Sequence, residues 1–303
     1  MPIKLQNDFP AKDVLEKENI FSIEAERAIH QDIRPLRILI LNLMPNKIET
    51  EIQLLRLISK TPLQIDVDFL MMQSHVSKNT NVSHLKKFYQ TFNGIKNDCY
   101  DGMIITGAPL EHLKFNDVDY WDEICEVMKW SKTHVFSTVH ICWGAQAGLY
   151  YHYGIHKVDY NQKLFGIYTQ RLCSTHFLVD GFDDEFCTPQ SRYTGINEKQ
   201  VKENDNLEIV LYSHLFGINM VISKDSKNIF ILGHLEYDAD TLAKEYQRDI
   251  EKGLDIQIPY HYFYKDNVAS TPMNMWRSHA NLFYHNWLNY VYQQTPYNLD
   301  DLK

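Results

Sequence analysis

HVFSTVHICWGAQAGLYYHY, residues 134–153, is a strand in its first half and a helix in its second. Positions 135–141 are short, apolar and rich in β-branched residues, the composition of a buried strand. Positions 144–153 have helical spacing and stop at Gly154, a residue suited to a left-handed C′ position. Cys142 falls at the corner. A nucleophile on a tight strand-to-helix turn is pushed out of the sheet, and Gly144, Ala145 and Ala147 leave room for close approach. The helix N-terminus sets partial positive charge beside the sulfur, which favours the thiolate. Alone, the same cysteine reads as a packed core thiol, because cysteine is among the most buried residue types.

Working outward, the N-terminal half alternates strands and helices. The run 37–43 (RILILNL) is apolar almost throughout, as a central parallel strand is. Thr50 is a candidate N-cap for a helix over 51–59. Strands follow at 63–71 and 100–106, with helices at 83–92 and 118–132. This alternation predicts a doubly wound α/β fold with a mainly parallel sheet. Ligands in such sheets sit beyond the carboxyl ends of the strands, so the loops at Lys47, Gly107 and Cys142 belong to one edge. Beyond Gly154 the pattern changes. Strands at 165–173, 185–190, 207–212, 217–223 and 228–232 add antiparallel pairs to one side of the sheet, with a short helix at 198–204 and a hairpin loop at 224–227. Helices are expected at 241–252 and 275–292, the latter an aromatic one whose apolar face meets the core or a second copy. Residues 1–35 read as an arm with a short helix near 11–17, and 36–303 as a single domain with a C-terminal helical extension.

The bulk numbers narrow the function. A chain of 303 residues, 44% hydrophobic and 23% charged, with formal charge −9 and no basic run, is no general nucleic-acid binder. The opening MPIKLQNDFPAKDVLEKENI has no apolar signal core, and no apolar run is long enough to span a membrane, so the expectation is cytoplasmic. Five cysteines, at 99, 125, 142, 173 and 187, without C-x-x-C spacing, suggest free thiols, neither a disulfide framework nor a zinc site.

A thiolate nucleophile needs a proton acceptor, and an imidazole needs a carboxylate to fix its tautomer. The strand at 228–232 runs into Gly233-His234-Leu235-Glu236. Residues two apart on a strand share a face, so His234 and Glu236 can point together toward the active edge. A lone His–Glu pair is otherwise a structural hydrogen bond. Oxyanion donors are the backbone N–H of Trp143, an N–H in the Gly107-Ala108 turn, and Lys47, which by itself reads as a solvated surface lysine.

Long segments carry a resemblance: LNLMPNKIETE (41–51), IITGAP (104–109), VDYWDEI (118–124), STVHICWGAQAGLYYHYG (137–154), LFG (164–166), GHLEYDADTLAKEYQRD (233–249) and WRSHANLFYHNWLNY (276–290). Over nearly its whole length the chain resembles the homoserine O-acyltransferases whose fold is like that of the class I glutamine amidotransferases. The resemblance implies Cys142 as nucleophile, His234 as proton acceptor and Glu236 as its partner. It further implies that Lys163, Ser191 and Arg248 contact substrate, Arg248 suiting an amino-acid carboxylate. Within the family, Glu at the position of Glu111 goes with acetyl-CoA and Gly with succinyl-CoA. A carboxylate there would repel a succinyl carboxylate in a confined pocket; without that role, Glu111 caps a surface turn. The implied reaction is acetyl transfer from acetyl-CoA to L-homoserine, which commits homoserine to methionine synthesis. It uses small-molecule substrates and no other cofactor or metal, in a symmetric homodimer by base rate. Two positions depart from the pattern. Gln190 stands where many members have His, which leaves serine open as acceptor, and Leu235 lies between the catalytic pair. Succinyl-CoA as donor, a glutamine-hydrolysing enzyme with the same three residues, and a non-catalytic ligand-binding protein are the alternatives.

Overall fold

The computed structural model describes residues 3–5, 9–17, 22–24, 34–75 and 79–303. One sheet runs through it. In chain order its strands are β1 (Ile3–Leu5), β2 (Ser22–Glu24), β3 (Leu36–Leu41), β4 (Ile65–Leu70), β5 (Tyr89–Gln90), β6 (Tyr100–Ile105), β7 (Val135–Ile141), β8 (Lys157–Leu172), β9 (Glu185–Ile196), β10 (Leu207–Ser213), β11 (Gly217–Ser223) and β12 (Asn228–Ile231). Across the sheet the order is β2-β1-β4-β3-β6-β7-β12-β11-β10-β8-β9, with β5 beside β4. From β2 to β12 the pairings are parallel; from β12 to β9 they are antiparallel. The doubly wound parallel core with an antiparallel flank is therefore present.

Helices α1 (Ala11–Lys17), α2 (Lys47–Ile58), α3 (Val82–Phe88), α4 (Phe92–Ile95), α5 (Trp121–His134), α6 (Trp143–Tyr153), α7 (Glu198–Lys202), α8 (Thr241–Glu251) and α9 (Arg277–Gln294) cover and flank the sheet. β3 and β6 are buried almost throughout because both faces are covered, with Arg37 and Asp101 the charged exceptions near their starts. Helix α6 is buried through its first two turns, so it has no polar face to show. Its capping Gly154 sits at φ 69°, the left-handed turn expected there. The aromatic helix α9 turns Ala280, Phe283, Tyr284, Trp287, Leu288 and Val291 into the core. Trp287 lies against Gly102 of β6, where an added Cβ would meet its ring at 2.8 Å, and its Nε1 donates to Ser137 Oγ at 3.1 Å.

Several boundaries differ from the sequence reading. Thr50 does not cap α2, which starts three residues before it. Asn46 holds the cap position and its side chain donates to Glu49 at 3.0 Å, while Thr50 Oγ1 bonds back to Asn46 O. The helix expected at 83–92 ends at Phe88, because Tyr89 joins the sheet beside β4 and sends its hydroxyl to Glu51 at 2.6 Å. β8 and β9 are longer than expected and form an extended hairpin with a register irregularity between Asp159 and Leu164. β12 stops at Ile231, so His234 and Glu236 lie in the loop after it. The arm proposed for 1–35 falls partly outside the described residues. Its described parts are α1, which matches the expectation, and β1 and β2 at the sheet edge, with the side chains of Ala11 and Leu15 buried.

Candidate active site

β7 and β12 are adjacent and parallel, with Ile141 opposite Ile231. Both chains leave the sheet at the same edge. Cys142 N–H donates to Ile231 O at 2.7 Å, and the residue turns sharply, at φ 50° and ψ −113°, to cap α6. A positive φ on a non-glycine residue is strained and persists only where its surroundings over-determine it. Here they do. Gly144, two residues on, has no space for a side chain: a Cβ would stand 2.6 Å from Thr106 O. Helix α6 is thereby pressed against the end of β6, and the sulfur stands at the mouth of its N-terminus.

The loop after β6 brings Gly107 to the same point. A Cβ built there would meet Cys142 Cβ at 3.3 Å and His234 Cε1 at 3.8 Å, so one small residue touches both partners. His234 reaches this position from an irregular loop. Its backbone N–H donates to Pro189 O at 3.0 Å, and Gly233 before it has no room for a Cβ, which would lie 2.3 Å from Gln190 Nε2. Its ring Nδ1 faces Glu236 Oε1 at 2.6 Å, and Cys142 lies close enough to act on its charge. Burial disfavours the imidazolium, but Glu236 and Cys142 outweigh it and hold the His234 pKa well above the ordinary 6.5. The pair converges although it is not on a strand; a turn, not strand alternation, brings the two side chains together.

Cys142, His234, Gly107, Ala108 and Glu111 line one cleft of about 570 Å³. Trp143 is the first residue of α6, so its N–H has no intrahelical acceptor. Lys47 does not itself line the cleft. Its ammonium is buried behind the lining residues 44–46 and donates to Asn42 O at 2.5 Å and Met44 O at 3.5 Å, with burial lowering its pKa to about 8 against the pull of Glu51. Held by those carbonyls, Lys47 braces the loop at 42–46 from inside. Glu111 lies in the cleft and is no surface turn cap. Burial raises its pKa, and Glu245 adds to this.

The three substrate-contact candidates meet at a residue the sequence reading missed. Glu245 accepts from Ser191 Oγ at 2.9 Å, from Lys163 Nζ at 2.7 Å and from Arg248 at 3.3 Å. Asp249 adds contacts to Lys163 at 3.3 Å and to Arg248 at 2.7 Å. Thr241, Lys244, Glu245, Arg248 and Lys252 all line the cleft, so one face of α8 is its wall. That spacing is legible as i, i+3, i+4, i+7. Tyr237, also missed, stacks on the His234 ring with centroids 4.0 Å apart. Gln190 points away from Ser191. Its amide is fully buried, bonded to Thr188, Asn219 and Arg192 beneath Gly233, and does not face the cleft. Leu235 is buried in the core.

The arrangement can form and release a covalent intermediate on sulfur, beside a pocket lined by paired cations and carboxylates. Solved structures share the fold. A glutamine amidotransferase from Thermotoga maritima superposes with a TM-score of 0.56 at 11% identity, covering 86% of this chain and 99% of its own. Sequence relatives are much nearer. Proteins named homoserine O-acetyltransferase from Lachnospira eligens and Lachnoclostridium phytofermentans are 57% and 54% identical. Each alignment covers 99% of this chain and 98% or more of the relative. The sequence profile of the family described as homoserine O-succinyltransferase matches residues 2–297, and the chain belongs to that family.

Proposed function

We propose that the protein is an acyltransferase that moves an acetyl group from acetyl-CoA to the side-chain hydroxyl of L-homoserine through an acyl-Cys142 intermediate. Cys142 and His234 side by side in one cleft, with Glu236 bonded to the far nitrogen of the imidazole, carry this reading. The thiolate attacks the thioester carbonyl, and Trp143 N–H with the Gly107-Ala108 turn takes the developing oxyanion. The C–S bond to coenzyme A breaks, and the His234 imidazolium protonates the leaving thiolate. Acylation removes the Cys142 anion that helped hold the proton on His234. The imidazole is left neutral, as a general base must be. It takes the proton of the homoserine hydroxyl, the oxygen attacks the acyl-sulfur bond, and the departing thiolate restores the starting ion pair. Glu236 keeps Nδ1 engaged throughout.

Amino-acid recognition falls to the α8 wall. Arg248, half exposed, suits the carboxylate, and Glu245 suits the ammonium, with Ser191 and Lys163 holding Glu245 in place. Glu111 supports acetyl over succinyl, since a donor carboxylate would enter a pocket that already holds Glu111 and Glu245. The relatives' names support the same donor.

Intact-mass spectrometry tests the scheme. Mixing with acetyl-CoA alone should add one acetyl group, lost on adding homoserine, while succinyl-CoA leaves the mass unchanged. No adduct on the wild-type protein, or one that survives Cys142→Ala, would refute it.

A further inference from the structure

Tyr237 touches the catalytic imidazole more intimately than any recognised role requires. Its ring lies 13° from parallel with that of His234, with centroids 4.0 Å apart. Such a contact places the imidazole over the π face, well inside the distance at which an aromatic ring attracts a cation. The stack is held from behind. Trp276, the residue capping α9, donates from Nε1 to Tyr237 O at 2.9 Å, and Asp238 pairs with Arg56 of α2. The loop bearing the catalytic pair is thus pinned by two helices outside the reacting groups.

We propose that Tyr237 is the positioning residue of the site: its ring fixes the plane of the His234 imidazole and favours its protonated form, and so favours the thiolate–imidazolium pair. The charged and titratable groups facing the two rings are Glu236 on their own loop, Cys142 at the head of α6, Glu245 on α8 and Glu111 beyond Gly107. Each adds negative potential. Burial first, then those same groups, push the phenol well above its usual range, so Tyr237 stays neutral and donates no charge of its own. The carboxylates supply charge; the ring supplies the flat, desolvated surface that water would otherwise occupy. The effect belongs to the π face, so the hydroxyl is dispensable for it.

The inference rests on the reading of Cys142 and His234 as a reactive pair, and not on the identity of the donor or acceptor. The test is therefore made without substrates. Iodoacetamide alkylation of Cys142 is followed against pH by peptide mass, in the wild type, Tyr237→Phe, Tyr237→Leu and Tyr237→Met. The two aliphatic replacements differ in shape, so a folding failure of one leaves the other. In Tyr237→Phe the alkylation midpoint stays at the wild-type pH. In Tyr237→Leu or Tyr237→Met it moves up by about one pH unit, the size of a desolvated cation–π contact. An unmoved midpoint in a folded aliphatic variant overturns the proposal. So does a shift in Tyr237→Phe equal to that in Tyr237→Leu, which would assign the effect to the hydroxyl. Should wild-type Cys142 react no faster than the exposed Cys173 at neutral pH, the reactive pair itself fails, and the proposed function with it.

Discussion

Gly233 shows how tightly the placement of His234 depends on one atom. A methyl group there would lie 2.3 Å from Gln190 Nε2 and 3.1 Å from both Asn219 Oδ1 and Pro189 O. Gln190 cannot retreat, because it is fully buried and its amide already bonds Thr188 and Asn219. The strain must go into the loop, and the next residue along it is His234. Gly233→Ala is expected to lower kcat/KM on the order of 100-fold, the cost of an ångström-scale misplacement of a catalytic group. Gln190→Ala in the same chain should recover part of that loss, by opening the space the methyl needs. Equal rates for Gly233→Ala and the wild type would show that the loop tolerates the displacement. The sequence marks Gly233 and His234 as neighbours at a strand end. It does not show that the glycine is required by a side chain from β9, since that contact joins positions 43 residues apart in the chain. Gln190 illustrates the same limit. Beside Ser191 in sequence, it suggested an altered acceptor site, yet alternation along β9 turns it to the opposite face.

Helix α8 is where the proposed acceptor pocket becomes specific. It supplies Glu245 and Arg248 on the cleft face, and Asp249 behind them. Without Glu245, Lys163 keeps only Asp249 of its two carboxylate contacts, and Ser191 loses its side-chain acceptor. Glu245→Gln keeps the shape but removes the charge an ammonium would meet. A charge-assisted hydrogen bond contributes about 1.5–3 kcal/mol. The expected result is a KM for homoserine raised about 10- to 100-fold, with the rate of Cys142 acylation by the donor unchanged, read by steady-state kinetics and by intact mass. A loss of acylation instead would move Glu245 from the acceptor pocket to the donor site. At this scale the sequence is informative about some features and silent on others. The helix and its boundaries are readable from spacing, and Arg248 from the family resemblance. Glu245 stands on the same face one turn earlier, but surface helices carry acidic residues at that spacing routinely, so spacing alone does not separate it. β12 is a comparable case. Apolar residues at 232 and 235 extend the strand pattern past Ile231, whereas the chain in fact turns at Gly233 and uses that turn to bring His234 to Glu236.

For the molecule as a whole, the parallel core explains why three separate segments reach one point. β3, β6, β7 and β12 run the same way, so the loops after them all open on one edge. That much follows from the strand–helix alternation in the sequence. The burial of Lys47 does not, because the alternation assigns a loop to an edge without saying which side chains turn inward from it. The same architecture in glutamine amidotransferases shows that the sheet does not choose the reaction; the cleft wall does. What the sheet must do is hold β6 and β7 in register beneath the reacting groups, and α9 is the clamp. Its Trp287 fills the space over Gly102 of β6 and bonds Ser137 of β7, so one side chain spans the two strands that lead to Gly107 and Cys142. Truncating a fully buried tryptophan removes its transfer energy and leaves a cavity, a cost of about 3–5 kcal/mol. Trp287→Ala is therefore expected to lower the midpoint of urea unfolding sharply. Trp287→Phe, which keeps an aromatic ring in the core but gives up Ser137 Oγ and the indole edge over Gly102, should lose less. If Trp287→Ala unfolds at the wild-type urea concentration, the strands are held in register without α9, and the long aromatic helix needs a different explanation, such as contact with a second copy of the chain.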